Sequence, residues 1–156
     1  MYIFFSGNEI ILWQLLSHGA DVHTRDCDGA TPLHRAIDAG HDETSRMILD
    51  RGCSLDVADL DGDTALHLAV RKQNNEIVAV LLRKGANPDL KNSSGECPLH
   101  EAIRNGLIPT AQLLLRGGCE VNIPGEIVGA LFHNKKRTFK IGYNQYERLA
   151  GCAVER

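Results

Sequence analysis

Aromatic residues are scarce in this 156-residue chain: one Trp, three Tyr and four Phe, together 5% of the total. A close-packed core must then be filled by small aliphatic side chains. Cysteine occurs five times, an odd count with no C-x-x-C pair, so no short-range disulfide framework is present. No apolar run approaches the roughly 18 residues that a membrane-spanning helix requires. Met1 to Phe5 are apolar but lack a basic leader, and Ser6-Gly7-Asn8-Glu9 interrupts them, which is unlike a signal peptide. A basic stripe is missing as well. Residues 1–123 hold 11 Lys/Arg against 17 Asp/Glu, a net −6, and residues 124–156 hold 6 against 3, a net +3. An acidic body is a poor surface for nucleic acid.

What the chain does have is a period. His34, His67, His100 and His133 stand 33 residues apart. Gly19, Gly52, Gly85, Gly118 and Gly151 keep the same interval, each followed by a small residue: Ala20, Cys53, Ala86, Cys119 and Cys152. Self-similarity at such a period marks a solenoid, in which each unit buries its apolar face against its neighbours. Three of the cysteines therefore occupy a packing slot, as a small buried hydrophobe does in a reducing compartment.

Three stretches superpose in strict register. Asp26-Cys-Asp-Gly-Ala-Thr-Pro-Leu-His34-Arg-Ala36 aligns with Asp59-Leu-Asp-Gly-Asp-Thr-Ala-Leu-His67-Leu-Ala69 and with Asn92-Ser-Ser-Gly-Glu-Cys-Pro-Leu-His100-Glu-Ala102. Each runs on into an apolar-periodic segment ending at Ile48-Leu49, Leu81-Leu82 or Leu114-Leu115. Gly29, Gly62 and Gly95 suit a tight turn. Thr31 and Thr64 suit helix N-caps, with Pro32 and Pro98 at the first helical position. Ala36, Ala69 and Ala102 are small where two helices approach, and Gly52, Gly85 and Gly118 fit left-handed caps at helix ends. Pro109 falls at the start of a second helix, where it is tolerated.

This pattern resembles the ankyrin repeat, T-P-L-H-x-A, over almost the whole chain. The resemblance implies an all-α solenoid of helix-turn-helix units joined by β-turn fingers, with about four to five repeats. Residues 25–57, 58–90 and 91–123 read as full repeats and 1–24 as a truncated first one. By register Met1 corresponds to His34, so the first unit lacks its finger and leaves Phe4, Phe5, Ile10, Leu12 and Trp13 without a polar cap. Further repeats upstream, or self-association through this end, are expected. Residues 124–156 read either as a degenerate capping repeat or as a basic tail, because Lys135-Lys136-Arg137 and Glu147-Arg148 replace framework positions.

Histidines one repeat apart lie about 8–10 Å from one another, whereas zinc takes each ligand nitrogen at roughly 2.0–2.1 Å. No metal site is expected from them; an imidazole tying adjacent fingers is. His18, His23 and His41 fall on loops or helix ends without partners at ligand spacing. The cluster Asp59, Asp61 and Asp63 departs from a calcium loop, because Gly62 comes too early and Val70 holds the last ligand position. No nucleophile elbow, phosphate-cradling loop or Cys/His pair with an orienting acid is found. Neither catalytic residues nor a cofactor are expected. The run Lys135-Lys136-Arg137 to Lys140 reads as a solvated face or as a nuclear-localisation or anionic-surface patch.

The resemblance further implies a binding face made of finger tips and the exposed surface of the first helices. By register these are Cys27, Asp28 and Ala30; Leu60, Asp61 and Asp63; Ser93, Ser94 and Glu96; then Asp38, Ala39, Arg71, Lys72, Arg104 and Asn105. Leu114 to Asn122 is similar to the context that an asparaginyl hydroxylase modifies in this family, making Asn122 a candidate for hydroxylation. The function expected is a protein–protein interaction module, a scaffold or adaptor in the cytoplasm or nucleus, with a basic surface on its partner. The alternative is a regulatory segment of a larger protein that carries an enzymatic or membrane domain elsewhere. Nucleic acid and membrane are not expected partners.

Overall fold

The computed structural model describes residues 18–120. The Asn122 position, His133, the basic run and the apolar N-terminal residues lie outside them. Three helix pairs follow one another: α1 (Pro32–Asp38) with α2 (Asp42–Asp50), α3 (Ala65–Arg71) with α4 (Asn75–Arg83), and α5 (Pro98–Arg104) with α6 (Ile108–Arg116). Their starts at 32, 65 and 98 preserve the 33-residue interval. Among the described residues the only strand-like pairing is one antiparallel bridge, Ala58 to Thr64. The architecture of the described residues is the all-α repeat array that the resemblance implies.

The first helices pack on one another in sequence, α1 on α3 on α5, and the second helices do likewise, α2 on α4 on α6. Two layers result, and the same register positions recur in the core between them. Leu33, Leu66 and Leu99 are buried at the start of each first helix, and Ala36, Ala69 and Ala102 are fully buried one turn later. A methyl group there lets neighbouring backbones approach. Ile48, Ile77, Leu81 and Leu114 fill the layer of second helices. Each such aliphatic side chain contributes about 1.5–3 kcal/mol of hydrophobic stabilisation. Pro109 sits in the first turn of α6, where its missing N–H would have had no helical partner.

The fingers between helix pairs are built by one side chain each. Asp26 Oδ1 accepts from the backbone N–H groups of Asp28 at 3.0 Å and Ala30 at 2.9 Å. Asp59 does the same for Asp61 and Asp63 at 3.0 and 2.9 Å. Asn92 serves Ser94 and Glu96 at 3.0 and 3.1 Å. Successive fingers are then linked edge to edge, Leu60 N–H to the Asp28 carbonyl at 2.9 Å and Ser93 N–H to the Asp61 carbonyl at 3.0 Å. Gly62 is required twice over at this point. Its φ is +77°, and a Cβ placed on it would meet the Ser93 nitrogen at 2.6 Å.

Candidate functional site

The periodic histidines belong to the framework that positions the fingers. His34 Nδ1 faces its own helix cap, 3.2 Å from the Thr31 backbone nitrogen and 2.7 Å from its hydroxyl. An N–H donor requires Nδ1 to be unprotonated, so the ring proton resides on Nε2. That Nε2–H donates to the Asp63 carbonyl of the next finger at 3.2 Å. His67 repeats the arrangement with Thr64 and with the Glu96 carbonyl at 3.0 Å. The ring joins a cap to the following finger, as expected from the register. Burial pushes the His34 imidazole below its usual pKa, against smaller opposing contributions from Asp59 and from the backbone at Asp63 and Val57. His100 also caps its helix, but Cys97 replaces the threonine, with Cys97 Sγ 2.9 Å from Nδ1.

The residues assigned to the binding face separate by position and exposure. Cys27, Asp28, Leu60, Asp61, Ser93 and Ser94 are exposed at the finger tips, and Leu60 retains 72% of its accessible surface. Asp38, Ala39, Arg71, Lys72, Arg104 and Asn105 are exposed at or just beyond the ends of the first helices. Glu96 is half-buried. Ala30 and Asp63 do not belong with them: both are buried, at 4% and 3% exposure. Their shared register position is the inward turn at which the finger re-enters the helical layers.

Asp63 is accordingly a structural residue. Its Oδ1 accepts from Asn92 Nδ2 at 3.0 Å, and its Oδ2 pairs with Arg71 Nη2 at 2.7 Å. Arg71 also reaches forward to the buried Glu101 carboxylate, with Nε 2.9 Å from Oε1. The Glu101 hydrogen bond, followed by that from Asp63, strengthens the guanidinium's hold on its proton despite partial burial. One arginine thus neutralises two carboxylates from consecutive repeats. A buried charge left without such a partner would be strongly destabilising.

Most of the acidity seen at the fingers is compensated in the same way. Arg35 pairs with Asp26 at 2.7 Å and with Asp28. Burial alone would raise the Asp26 carboxyl, but the Arg35 hydrogen bond and the N–H groups of Ala30 and Asp28 hold it below its usual range. Arg104 pairs with Glu96 at 2.6 Å, and Lys72 with Asp38 of the preceding repeat at 2.9 Å. Among the described residues Asp61 makes no ion pair. The fingers therefore present no continuous acidic edge: Asp28 and Glu96, like the inward-facing Asp63, are each paired with an arginine of their own repeat.

Among the described residues no group of three or more His, Cys, Asp or Glu side chains is placed to hold a metal ion, and no helix is long and apolar enough to cross a membrane. The acidic cluster resembling a calcium loop is committed elsewhere, Asp59 to the finger turn and Asp63 to Arg71 and Asn92.

A family model described as ankyrin repeats (3 copies) matches residues 47–124, and a second, ankyrin repeats (many copies), matches residues 15–69. None of the curated proteins matches the chain. Ankyrin repeats are generally protein–protein interaction modules and are typically non-catalytic. With the 33-residue register, the paired helices and the cap-to-finger histidines in place, the chain belongs to the ankyrin-repeat family.

Proposed function

We propose that this chain is a protein-binding scaffold or adaptor whose partner docks on the finger tips and on the exposed ends of α1, α3 and α5. The observation that carries this reading is Leu60, a large apolar side chain 72% exposed on a finger whose backbone is fixed on both sides. Cys27 and Asp28 flank it on the preceding finger, and Ser93 and Ser94 on the following one. Side chains held on a rigid backbone lose little freedom on association, so contacts made there are retained as affinity.

Ala39 and Asn105 extend the face along the first helices. Arg71, Lys72, Arg104 and Asp38 contribute through charges already paired with one another or with the fingers, and so act on orientation more than on affinity. A basic group on the partner finds its counterpart in Asp61. The compartment that suits an array with free thiols is reducing, the cytoplasm or nucleus.

The test is a partner isolated on the full chain, its Kd then measured against single variants. Leu60→Ser should weaken binding about tenfold or more, equivalent to about 1.4 kcal/mol. Arg83→Ser, exposed at the end of α4, should leave it unchanged. The reverse pattern would place the binding surface on the second helices and overturn the reading.

A further inference from the structure

We propose that Asn105 is a site of spontaneous covalent modification: the backbone nitrogen of Gly106 attacks its side-chain amide, and water then leaves aspartate or isoaspartate at the end of α5. The first observation is how the asparagine side chains are employed. Asn74 accepts from the Ile77 N–H at 3.1 Å and donates to Asp42 at 2.6 Å, and Asn75 accepts from the Thr110 hydroxyl at 2.6 Å. Asn87 accepts from the Asp89 N–H at 3.0 Å, and Asn92 holds its finger together and donates to Asp63. Among the described residues Asn105 is the asparagine whose side-chain amide makes no hydrogen bond, and it is exposed. Its amide carbon is therefore free to turn toward its own main chain.

The second observation is the residue that follows. Asn74, Asn75, Asn87 and Asn92 precede Asn75, Glu76, Pro88 and Ser93, whereas Asn105 precedes Gly106, the one Asn-Gly pair in the sequence. A side chain on the following residue crowds the approach of its nitrogen to the amide carbon, and glycine has none. Space is open on that side, since a Cβ on Gly106 would meet nothing within 4 Å. The folded cap slows the reaction without preventing it. Gly106 N–H donates to the Ile103 carbonyl at 3.0 Å, and Leu107 N–H to the Ala102 carbonyl at 2.8 Å. A nitrogen so engaged keeps its proton, so attack waits until the last turn of α5 opens, a local event easier than global unfolding.

The steps balance. Hydroxide removes the Gly106 amide proton, and the nitrogen adds to the Asn105 side-chain carbon. A C–N bond forms, the bond to the side-chain nitrogen breaks, and that nitrogen takes a proton from water and leaves as ammonia, returning the hydroxide. The product is a five-membered succinimide ring, whose closure is favoured because both reacting groups belong to adjacent residues. Water opens it at either carbonyl, where a C–O bond forms and a C–N bond breaks. One opening gives aspartate; the other gives isoaspartate, whose main chain runs through the side-chain carbon. One amide and one water become one carboxylate and ammonium, with no electron transferred. A carboxylate at this helix end meets the negative end of the helix dipole. Isoaspartate also lengthens the main chain by one carbon before Gly106, so the bonds from Gly106 and Leu107 that close the cap are lost.

The experiment ages the full chain in mildly alkaline buffer and digests it with a glutamyl endopeptidase, which cleaves after Glu101 and Glu120. The peptide from Ala102 to Glu120 should gain the mass difference between a hydroxyl and an amino group. It should also split into two forms, one of which accepts a methyl group from an isoaspartyl methyltransferase. The peptide that carries Asn92 should stay unchanged. Asn105→Gln, whose longer side chain would have to close a six-membered ring, should keep its peptide intact. A synthetic peptide of residues 102–120, which holds no cap, should react about tenfold or more faster than the full chain. In the aged chain, hydrogen exchange should show protection lost at Gly106 and Leu107 and kept at Gln73 and Asn74, their register equivalents. An Asn105 that stays intact over many half-lives of the free peptide would overturn the proposal, as would conversion at Asn92 first. Equal rates for chain and peptide would overturn the gating by the cap.

Discussion

His67 reaches from the cap of its own helix to the carbonyl of Glu96 in the next finger, a 3.0 Å hydrogen bond that makes one side chain serve two repeats. His34 and Asp63 stand in the same relation at 3.2 Å. In both, the ring accepts at Nδ1 and donates from Nε2, and the link through His34 connects folding to pH.

The sign follows from His34, whose pKa burial lowers in the folded chain. Above the unfolded-state value, about 6.5, neither state binds a proton and the stability is fully present. As pH falls below it, the unfolded chain takes up protons that the folded chain resists, and stability is lost down to the folded value. The slope for one such group is at most about 1.4 kcal/mol per pH unit. Urea midpoints between pH 7.5 and 5.5 should therefore fall, with a smaller drop for His34→Gln. Equal slopes for the two proteins would show that this ring is not responsible.

Asp61 and Asp63 should behave as opposites despite their shared charge and proximity. Asp61→Asn alters an exposed tip and should change stability by less than about 0.5 kcal/mol. Asp63→Ala removes the acceptor for Asn92 and the buried partner of Arg71, at a cost of about 1–3 kcal/mol. Chemical denaturation of the two single variants distinguishes the roles.

Gln73 has a φ of +58°, in a register slot where Gly40 and Gly106 have +76° and +66°. A side chain in that conformation costs about 1–2 kcal/mol, partly offset because glycine gains more freedom on unfolding. Gln73→Gly should stabilise the chain by up to about 1 kcal/mol, read as a higher urea midpoint. A lower midpoint would mean that the exposed Gln73 side chain has a role the backbone does not reveal.

Two glycines with the same backbone geometry should differ on substitution. Gly52 and Gly62 have φ of +75° and +77°, yet a Cβ on Gly52 meets nothing within 4 Å, whereas one on Gly62 strikes Ser93. Gly52→Ala should cost about 1–2 kcal/mol from conformation alone. Gly62→Ala should cost more, with the excess measuring the finger-to-finger contact. Equal losses in thermal or chemical unfolding would show that the fingers separate easily.

The repeat framework was legible because each of its parts has a reason tied to residue type. Leucine and alanine fill the core, glycine supplies the turns, proline starts the helices, and histidine at a fixed distance links cap to finger. The binding face was legible less completely. Ala30, Asp63 and Glu96 differ in chemistry at one register position, and difference reads as exposure when only the sequence is compared. The chain turns inward there, so each of the two acids has a local partner; Arg71 for Asp63 and Arg104 for Glu96 follow eight residues later. That recurring acid–arginine spacing was a signal of compensation. The slot shared by Gly40, Gln73 and Gly106 was equally visible as a period, but glutamine carries no sign of the positive φ it adopts.

The fingers are joined by one backbone hydrogen bond at each step, Asp28 to Leu60 and Asp61 to Ser93. Pulled from its ends, such a stack carries the load through successive links in series, and every link bears the same tension. Extension would proceed by the weakest boundary parting first while the others hold, so the array yields in discrete lengths of one repeat, as a ratchet does, instead of stretching evenly.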